Sequence, residues 1–240
     1  NPGNDSPDCL PDGAGLKDFD GIAWTGSAAH AYSDEPSVKN QISFARLGVE
    51  SGRPVFGSCF GMQIVAQAFG GQVRASPNGR EIGVGRKIRL SREGLNHPMY
   101  RGKPACFSAL TVHMDEVAVP PKQAVILSGN EHSAIQSFVM EKDGFNFWGV
   151  QYHPEHTLET LAAIFNRDFP QLTPQIIKEG FFTSRSAIEE MSNDWITLHN
   201  NPDRKDLAWR YGIDKNILTP ACHLKELANW LDHVRRKAGT

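Results

Sequence analysis

Residues 54–61 read Pro54-Val55-Phe56-Gly57-Ser58-Cys59-Phe60-Gly61, a short apolar strand that runs into Gly-x-Cys-x-Gly and straight on into a helix. This is the cysteine counterpart of the Gly-x-Ser-x-Gly nucleophile elbow. The elbow holds its central residue in a strained turn, so Gly57 and Gly61 must stay small to avoid clashes. The sulfur of Cys59 then lies at a helix N-terminus, where the dipole favours thiolate. The backbone N–H of Phe60 is placed to bind an oxyanion. A free cysteine is also commonly just a small buried hydrophobe, so a nucleophile here requires a base and a third group to hold that base.

The candidate base lies further along, in Gly149-Val150-Gln151-Tyr152-His153-Pro154-Glu155. His153 follows a strand end, and Pro154 stiffens the link to Glu155. With one residue between them, the two side chains can project to the same side of an extended segment. Glu155 then accepts from one ring nitrogen while the other faces the thiol. A histidine near a strand end is otherwise a common structural or surface residue.

The remainder of the chain says what frame these residues sit in. Ile22–Thr25 and Val55-Phe56 are buried-strand candidates, and Ser37–Glu50 and residues 60–69 have helical spacing, the latter stopped by Gly70-Gly71. Beyond Gly71 short strands are expected at Val84–Leu90, Val125–Leu127, Ala134–Met140 and Phe147–Tyr152, with Asp143-Gly144 as a hairpin turn. Thr157–Phe165 reads as helix. Strands alternating with helices early and hairpins later indicate an α/β sheet with an antiparallel extension. From Asn166 the chain is helical and strand-poor. Ser186 to Glu189 has the form of a capping box, and Thr219-Pro220 reads as N-cap and N1 of a last helix reaching Arg236.

Composition narrows the function classes. Of the 240 residues, 40% are hydrophobic and 22% charged, which describes an ordinary globular protein. A formal charge of −2 gives no electrostatic pointer to nucleic acid or a membrane surface. No apolar run approaches the roughly 20 residues that span a bilayer, and no signal-peptide pattern opens the chain, so the cytoplasm is the expected compartment. Cys9, Cys59, Cys106 and Cys222 lie far apart without CxxC spacing, which fits free thiols rather than disulfides or a zinc site.

The elbow GSCFGMQIVAQAFGG followed by GVQYHPE resembles the class I (triad-type) glutamine amidotransferases, and within them the GMP synthase-like glutaminase domains. The resemblance runs from about Leu16 to Phe165. It implies a flavodoxin-like, mostly parallel sheet flanked by helices, with the antiparallel hairpin extension and helical C-terminal tail read above. It divides the chain into a glutaminase domain over 1–165 and a helical extension over 166–240 packed on it. It assigns Cys59 as nucleophile, His153 as acid/base and Glu155 as orienter, acting on the glutamine side-chain amide through a γ-glutamyl thioester.

Further positions match the family pattern. Asp20 to Ser27 resembles the oxyanion-loop segment, with Gly26 at the substrate and Ser27 standing where a second glycine often falls. A Cβ there makes φ > 0 costlier. Ser27 and Phe60 are thus the expected oxyanion donors. Gln63 matches the family glutamine that helps hold substrate, and is also readable as a polar residue at a core edge. Val112-His113-Met114-Asp115 resembles the Ser-His-Gly-Asp block whose backbone contacts the substrate's α-carboxylate and amine, with Ser→Val and Gly→Met departures. His113 and Asp115 as metal ligands would need a third convergent ligand that the sequence does not offer, so neither metal nor cofactor is expected. Folds of this family begin with a strand and helix before the oxyanion loop, and this chain opens in a Pro/Gly-rich loop, so an N-terminal segment is expected to be absent from it.

The chain carries no ATP-pyrophosphatase signature. It therefore reads as a free-standing glutaminase that supplies ammonia to a synthetase partner, with the helical tail as a docking surface, a packed lid or a dimer element. The alternative is a γ-glutamyl peptidase or hydrolase using the same Cys-His-Glu triad.

Overall fold

A computed structural model of the chain describes residues 15–180 and 182–239, so most of the expected N-terminal loop, including Cys9, lies outside the described residues. Its first half contains β1 (Ile22–Trp24), α1 (Pro36–Glu50), β2 (Val55–Ser58), α2 (Phe60–Ala68), β3 (Gln72–Ala75), β4 (Glu81–Leu90), α3 (Arg92–Asn96), β5 (Cys106–His113) and β6 (Asp115–Val119). There follow β7 (Val125–Gly129), β8 (Ser137–Met140), β9 (Phe147–Val150), α4 (Leu158–Lys178), α5 (Arg185–Asn200), α6 (Lys205–Tyr211), α7 (Lys215–Leu218), α8 (Pro220–His223) and α9 (Lys225–Ala238).

Seven strands form one sheet in the order β1-β2-β9-β8-β7-β4-β5, and β3 pairs with β6 in a separate ribbon. The pairs β1/β2 and β2/β9 are parallel. From β9 outward each pairing is antiparallel, through β8, β7, β4 and β5. The β8–β9 hairpin turns where the sequence places it, with Asp143 at φ 57° and Gly144 at φ 85°. That left-handed pair is what an Asp-Gly turn supplies at low cost.

The parallel strands are buried on both faces. In β2, Val55 joins the core under α1 and α2 with Val38, Ala45 and Val65, while Phe56 points the other way, into a cluster with Ile88, Tyr152 and Trp230. Parallel strands need helices on both faces, and α9 covers the second one here. Trp230 packs on Phe56 at 5.8 Å between ring centroids, and His233 stacks on Trp148 at 4.8 Å. A third cluster joins α4, α5, α6 and α7 to the outer strands, with Phe165, Trp195 and Leu198 against Leu110 and the partly buried Ile82, Val84 and Val112.

Three details of the helical half differ from the sequence reading. Helix α4 continues past Phe165 to Lys178. Helix α5 is capped by Ser184, whose extended backbone (φ −162°, ψ 168°) aims its hydroxyl at the Ala187 N–H, so Ser186 already lies inside the helix. Glu189 pairs instead with Arg185 at 2.9 Å. Thr219-Pro220 opens only the short α8, and α9 starts afresh after Leu224.

Trp195 is 2% exposed and packs its ring 5.7 Å from that of Phe165. Trp195→Ala is expected to lower the unfolding free energy by about 3–5 kcal/mol in denaturant titrations. A loss below about 1 kcal/mol would contradict this packing.

Candidate active site

The strand β2 ends at Ser58, and α2 begins at Phe60, so Cys59 alone makes the turn. It does so at φ 51° and ψ −109°, a left-handed φ that L residues rarely adopt. Two glycines make room for it. A Cβ on Gly57 would stand 2.7 Å from the Gly61 carbonyl carbon, and one on Gly61 would stand 2.7 Å from Trp24 Cβ and O. Strand and helix can therefore close on each other only at these residue types. The Cys59 N–H donates to Val150 O at 2.8 Å, which ties the turn to the end of β9.

That tie brings the second half of the site alongside. Immediately after β9, the His153 N–H donates to Leu110 O at 2.8 Å on β5. His153 Nδ1 and Glu155 Oε1 lie 2.8 Å apart. The same oxygen accepts from Ser58 Oγ at 2.7 Å, so the residue before the sulfur holds the carboxylate that holds the imidazole. His153 Nε2 is buried without an aligned hydrogen-bond partner. Gly26 marks where it sits: a Cβ there would come within 2.8 Å of His153 Cε1 and 3.7 Å of Cys59 Cβ. Sulfur, ring and glycine thus meet at one point, and the sulfur–imidazole interaction is one of proximity and charge. Catalytic hydrogen bonds commonly tighten only when substrate arrives.

The electrostatics follow from this geometry. Burial pulls the His153 imidazole towards the neutral form, but the adjoining Cys59 sulfur and Glu155 outweigh it and lift the ring to about 10. Burial raises the Glu155 carboxyl, and the His153 and Ser58 hydrogen bonds more than reverse this, leaving it below the ordinary carboxylate range. His156 stacks on His153 with centroids 4.4 Å apart and planes 13° apart. Burial first, and then the His153 charge, push it down to about 4, so it is a neutral ring over a charged one. Because His153 is raised above its ordinary 6.5, its contribution to folding is complete below that pH and fades as pH climbs towards 10.

The other residues singled out from the sequence gather here in differing ways. Val112 O lies 4.0 Å from Cys59 Sγ, so the β5 end borders the sulfur. Ser27 is exposed, and its Oγ accepts from the Ala29 N–H at 3.1 Å. It is not among the described non-glycine residues with positive φ, which are Cys59, Lys87 and Asp143, so its Cβ brings no strain. The Phe60 N–H is a first-turn donor that α2 cannot satisfy itself. Gln63 is buried, with Nε2 donating to Asp115 O at 3.2 Å and Gln151 Oε1 at 3.3 Å. It therefore braces the start of β6 and the residue that follows β9 against α2. Both nitrogens of the buried His113 ring are engaged within the protein, one with Glu81 at 2.9 Å and the other with the Asp115 carbonyl at 2.9 Å.

Contacts unread in the sequence complete the site. The Asp115 carboxylate accepts from Tyr32 Oη at 3.3 Å and lies 2.7 Å from His30 Nδ1, fixing the loop that carries Gly26 and Ser27. Glu81, His113 and His132 are close enough to surround a cation. However, the Glu81 carboxylate is already occupied by the His113 ring and the amides of Asn130 and Gln136, which makes a polar network. His153, Glu155 and His156 form a second such group, committed to each other as described. The free cysteines among the described residues are Cys59, buried, Cys106, exposed, and Cys222, half-buried. No helix among those residues is long and apolar enough to cross a membrane.

Similarities to known proteins bear on the fold that carries this site. The family model described as "Glutamine amidotransferase class-I" matches residues 9–171. A "Gamma-glutamyl-L-1-hydroxyisopropylamide hydrolase" from Pseudomonas sp. is 31% identical over 94% of this chain and 74% of its own length. A glutamine-hydrolyzing GMP synthase subunit from Methanococcus maripaludis is 28% identical over 57% of this chain and 69% of its own. A crystal structure of a glutamine amidotransferase from Thermotoga maritima superposes with a TM-score of 0.63 at 19% identity, covering 91% of this chain and 79% of that one.

His153 is expected to titrate near 10 by ¹⁵N NMR of labelled imidazole, and to titrate lower in Cys59→Ala, where the raising effect of the sulfur is gone. A wild-type value near 6.5 would contradict the charge coupling.

Proposed function

The chain belongs to the class-I glutamine amidotransferase family, is an enzyme, and on that premise we propose that it hydrolyses γ-glutamyl amide bonds through a thioester on Cys59. The observation that carries this reading is the buried, unpartnered Nε2 of His153 beside Cys59, with Nδ1 held by Glu155. A ring so placed is equipped to exchange a proton with the neighbouring sulfur and its adduct.

The steps follow from the placements. The Cys59 thiolate attacks the γ-carbonyl carbon, and the oxyanion forms against the N–H groups of Phe60 and Ser27. His153, protonated at Nε2, gives that proton to the departing nitrogen as the C–N bond breaks, leaving a γ-glutamyl thioester. Water then attacks the thioester while Nε2 takes its proton, the C–S bond breaks, and glutamate leaves with Cys59 restored. Glu155 stabilises the charged ring and fixes its tautomer, as the acid does in other triads. The backbone at Val112 and His113 and the loop at Gly26 are the surfaces offered to the glutamyl α-carboxylate and amine. Gln63 serves them by bracing the strands around it.

The leaving group separates two readings. The relative matched over nearly the whole chain, helical tail included, is by its name a hydrolase of an N-substituted γ-glutamyl amide. That favours a substituted γ-glutamyl amide or peptide here, with water as the only acceptor. The similarity to glutamine-hydrolyzing GMP synthases, over 57% of the chain for a separate subunit and 85% for a whole synthase, favours glutamine, with ammonia passed to a synthetase partner.

Purified protein offered glutamine, a γ-glutamyl dipeptide and a γ-glutamyl alkylamide, with glutamate and ammonia followed separately, decides between them. The substituted amides are expected to be cleaved with the higher kcat/KM, and Cys59→Ala to lose about a thousand-fold or more on every substrate. Brisk glutamine hydrolysis with negligible cleavage of the substituted amides would overturn the hydrolase reading.

A further inference from the structure

We propose that Glu226, in the C-terminal helix α9, is a positioning residue for His153 and acts through the hydroxyl of Tyr152. This rests on His153 being the acid/base described above.

Glu226 is fully buried, at 0% side-chain exposure, and pairs at 2.8 Å with Lys103, itself 2% exposed. Lys103 also donates to Cys222 O at 3.3 Å and lies over the Phe107 ring at 4.6 Å. An ion pair this deep is a poor source of net stability, since desolvation offsets the attraction. Its presence therefore asks for another use. The second ligand of the carboxylate supplies one: Tyr152 Oη donates to Glu226 at 2.6 Å. The Tyr152 hydroxyl also lies 2.9 Å from that of Tyr100, which donates to Ser137 Oγ at 2.7 Å. Burial and the Glu226 charge push the Tyr152 phenol well above its ordinary range, so it remains a donor.

Tyr152 is the residue before His153, in the bend that follows the end of β9 at Val150, so a shift of its side chain is passed to the His153 backbone through a single peptide link. Around them the backbone is tied at Val150 O to Cys59 N, at Gln151 N to Gln136 O and at His153 N to Leu110 O. Side chains add to these ties: Gln151 Oε1 accepts from Gln63 Nε2 at 3.3 Å, and the Tyr152 hydroxyl is bound to Glu226. The Tyr152 side chain is buried with Phe56 and Trp230 and held by a helix that is itself fixed, with Asn229 Nδ2 donating to Met99 O at 2.9 Å and Arg101 O at 3.0 Å. The α9 helix thereby sets where the imidazole stands relative to Cys59. The reacting partners in such a site tolerate little displacement, about 1 Å being enough to lose two orders of magnitude.

The test uses Tyr152→Phe, which removes one oxygen, with Glu226→Gln and the double variant, in the full chain. Folding is checked by circular dichroism, and kcat, KM and the rate of iodoacetamide alkylation of Cys59 at pH 5 to 9 are measured. Each single variant is expected to lose about ten-fold in kcat with KM within about two-fold, and to alkylate more slowly at acid pH as the thiolate–imidazolium contact loosens. The double variant should be no worse than the poorer single one, because both break one linkage. A folded Tyr152→Phe protein with kcat within two-fold of wild type would overturn the proposal. An unfolded one would also overturn it, because the hydroxyl would then serve the fold. A Cys59→Ala protein that keeps activity refutes the triad reading itself. With Cys59→Ala inactive and Tyr152→Phe fully active, only the positioning role fails.

Discussion

Everything in this site depends on one residue being held where residues do not wish to be. Cys59 sits at φ 51° because β2 must stop and α2 must start within one peptide. The strain is of order 1–3 kcal/mol and persists only because its surroundings over-determine it. Gly57 and Gly61 give the chain room, and Val150 accepts the Cys59 N–H. In return the sulfur stands at the mouth of α2, where the first-turn N–H groups and the dipole both face developing negative charge.

The elbow alone would be inert without a way to bring His153 to it. Parallel pairing of β9 with β2, Gly57 opposite Gly149 and Ser58 opposite Val150, carries the chain past the sulfur and releases it into the His-Pro-Glu segment. Ser58 then closes the circuit from the elbow to Glu155. Loop 26–32 arrives from β1 and is pinned by Asp115. Each tie comes from a different element, so the constellation exists only in the folded sheet. The helical tail belongs to that sheet's packing, since α9 covers the face of Phe56 and Trp148 that a parallel strand cannot leave wet.

Much of this was legible in the sequence, for a physical reason. An elbow and a His-x-Glu pair are local geometries, so their residue types and spacings are nearly sufficient to state them, although Pro154 and Glu155 make a turn and not the extended segment expected. Helix α1, helix α2 and the Asp143-Gly144 hairpin were legible on the same ground. Strands β3, β5 and β6 were not, because Cys106–His113 mixes apolar and polar residues without a clean period and the β3/β6 ribbon is short and half-exposed. Ser58 lay in plain view inside the elbow, but its partner is 97 residues away, and nothing local announces a hydroxyl's acceptor. The Lys103–Glu226–Tyr152 linkage has the same character: ordinary residues whose meaning is set by tertiary contact. The Ser186 capping box shows the converse error, a good local signal displaced by a better cap two residues earlier at Ser184.

The central claim is that Cys59 carries a γ-glutamyl group during turnover. The most direct measurement is acid quenching of enzyme mixed with a γ-glutamyl amide, followed by peptide mapping in a mass spectrometer. The account predicts a γ-glutamyl adduct on the peptide containing Cys59, lost on treatment with hydroxylamine as a thioester should be. An adduct on another residue, or turnover that proceeds with no adduct and survives Cys59→Ala, would contradict it.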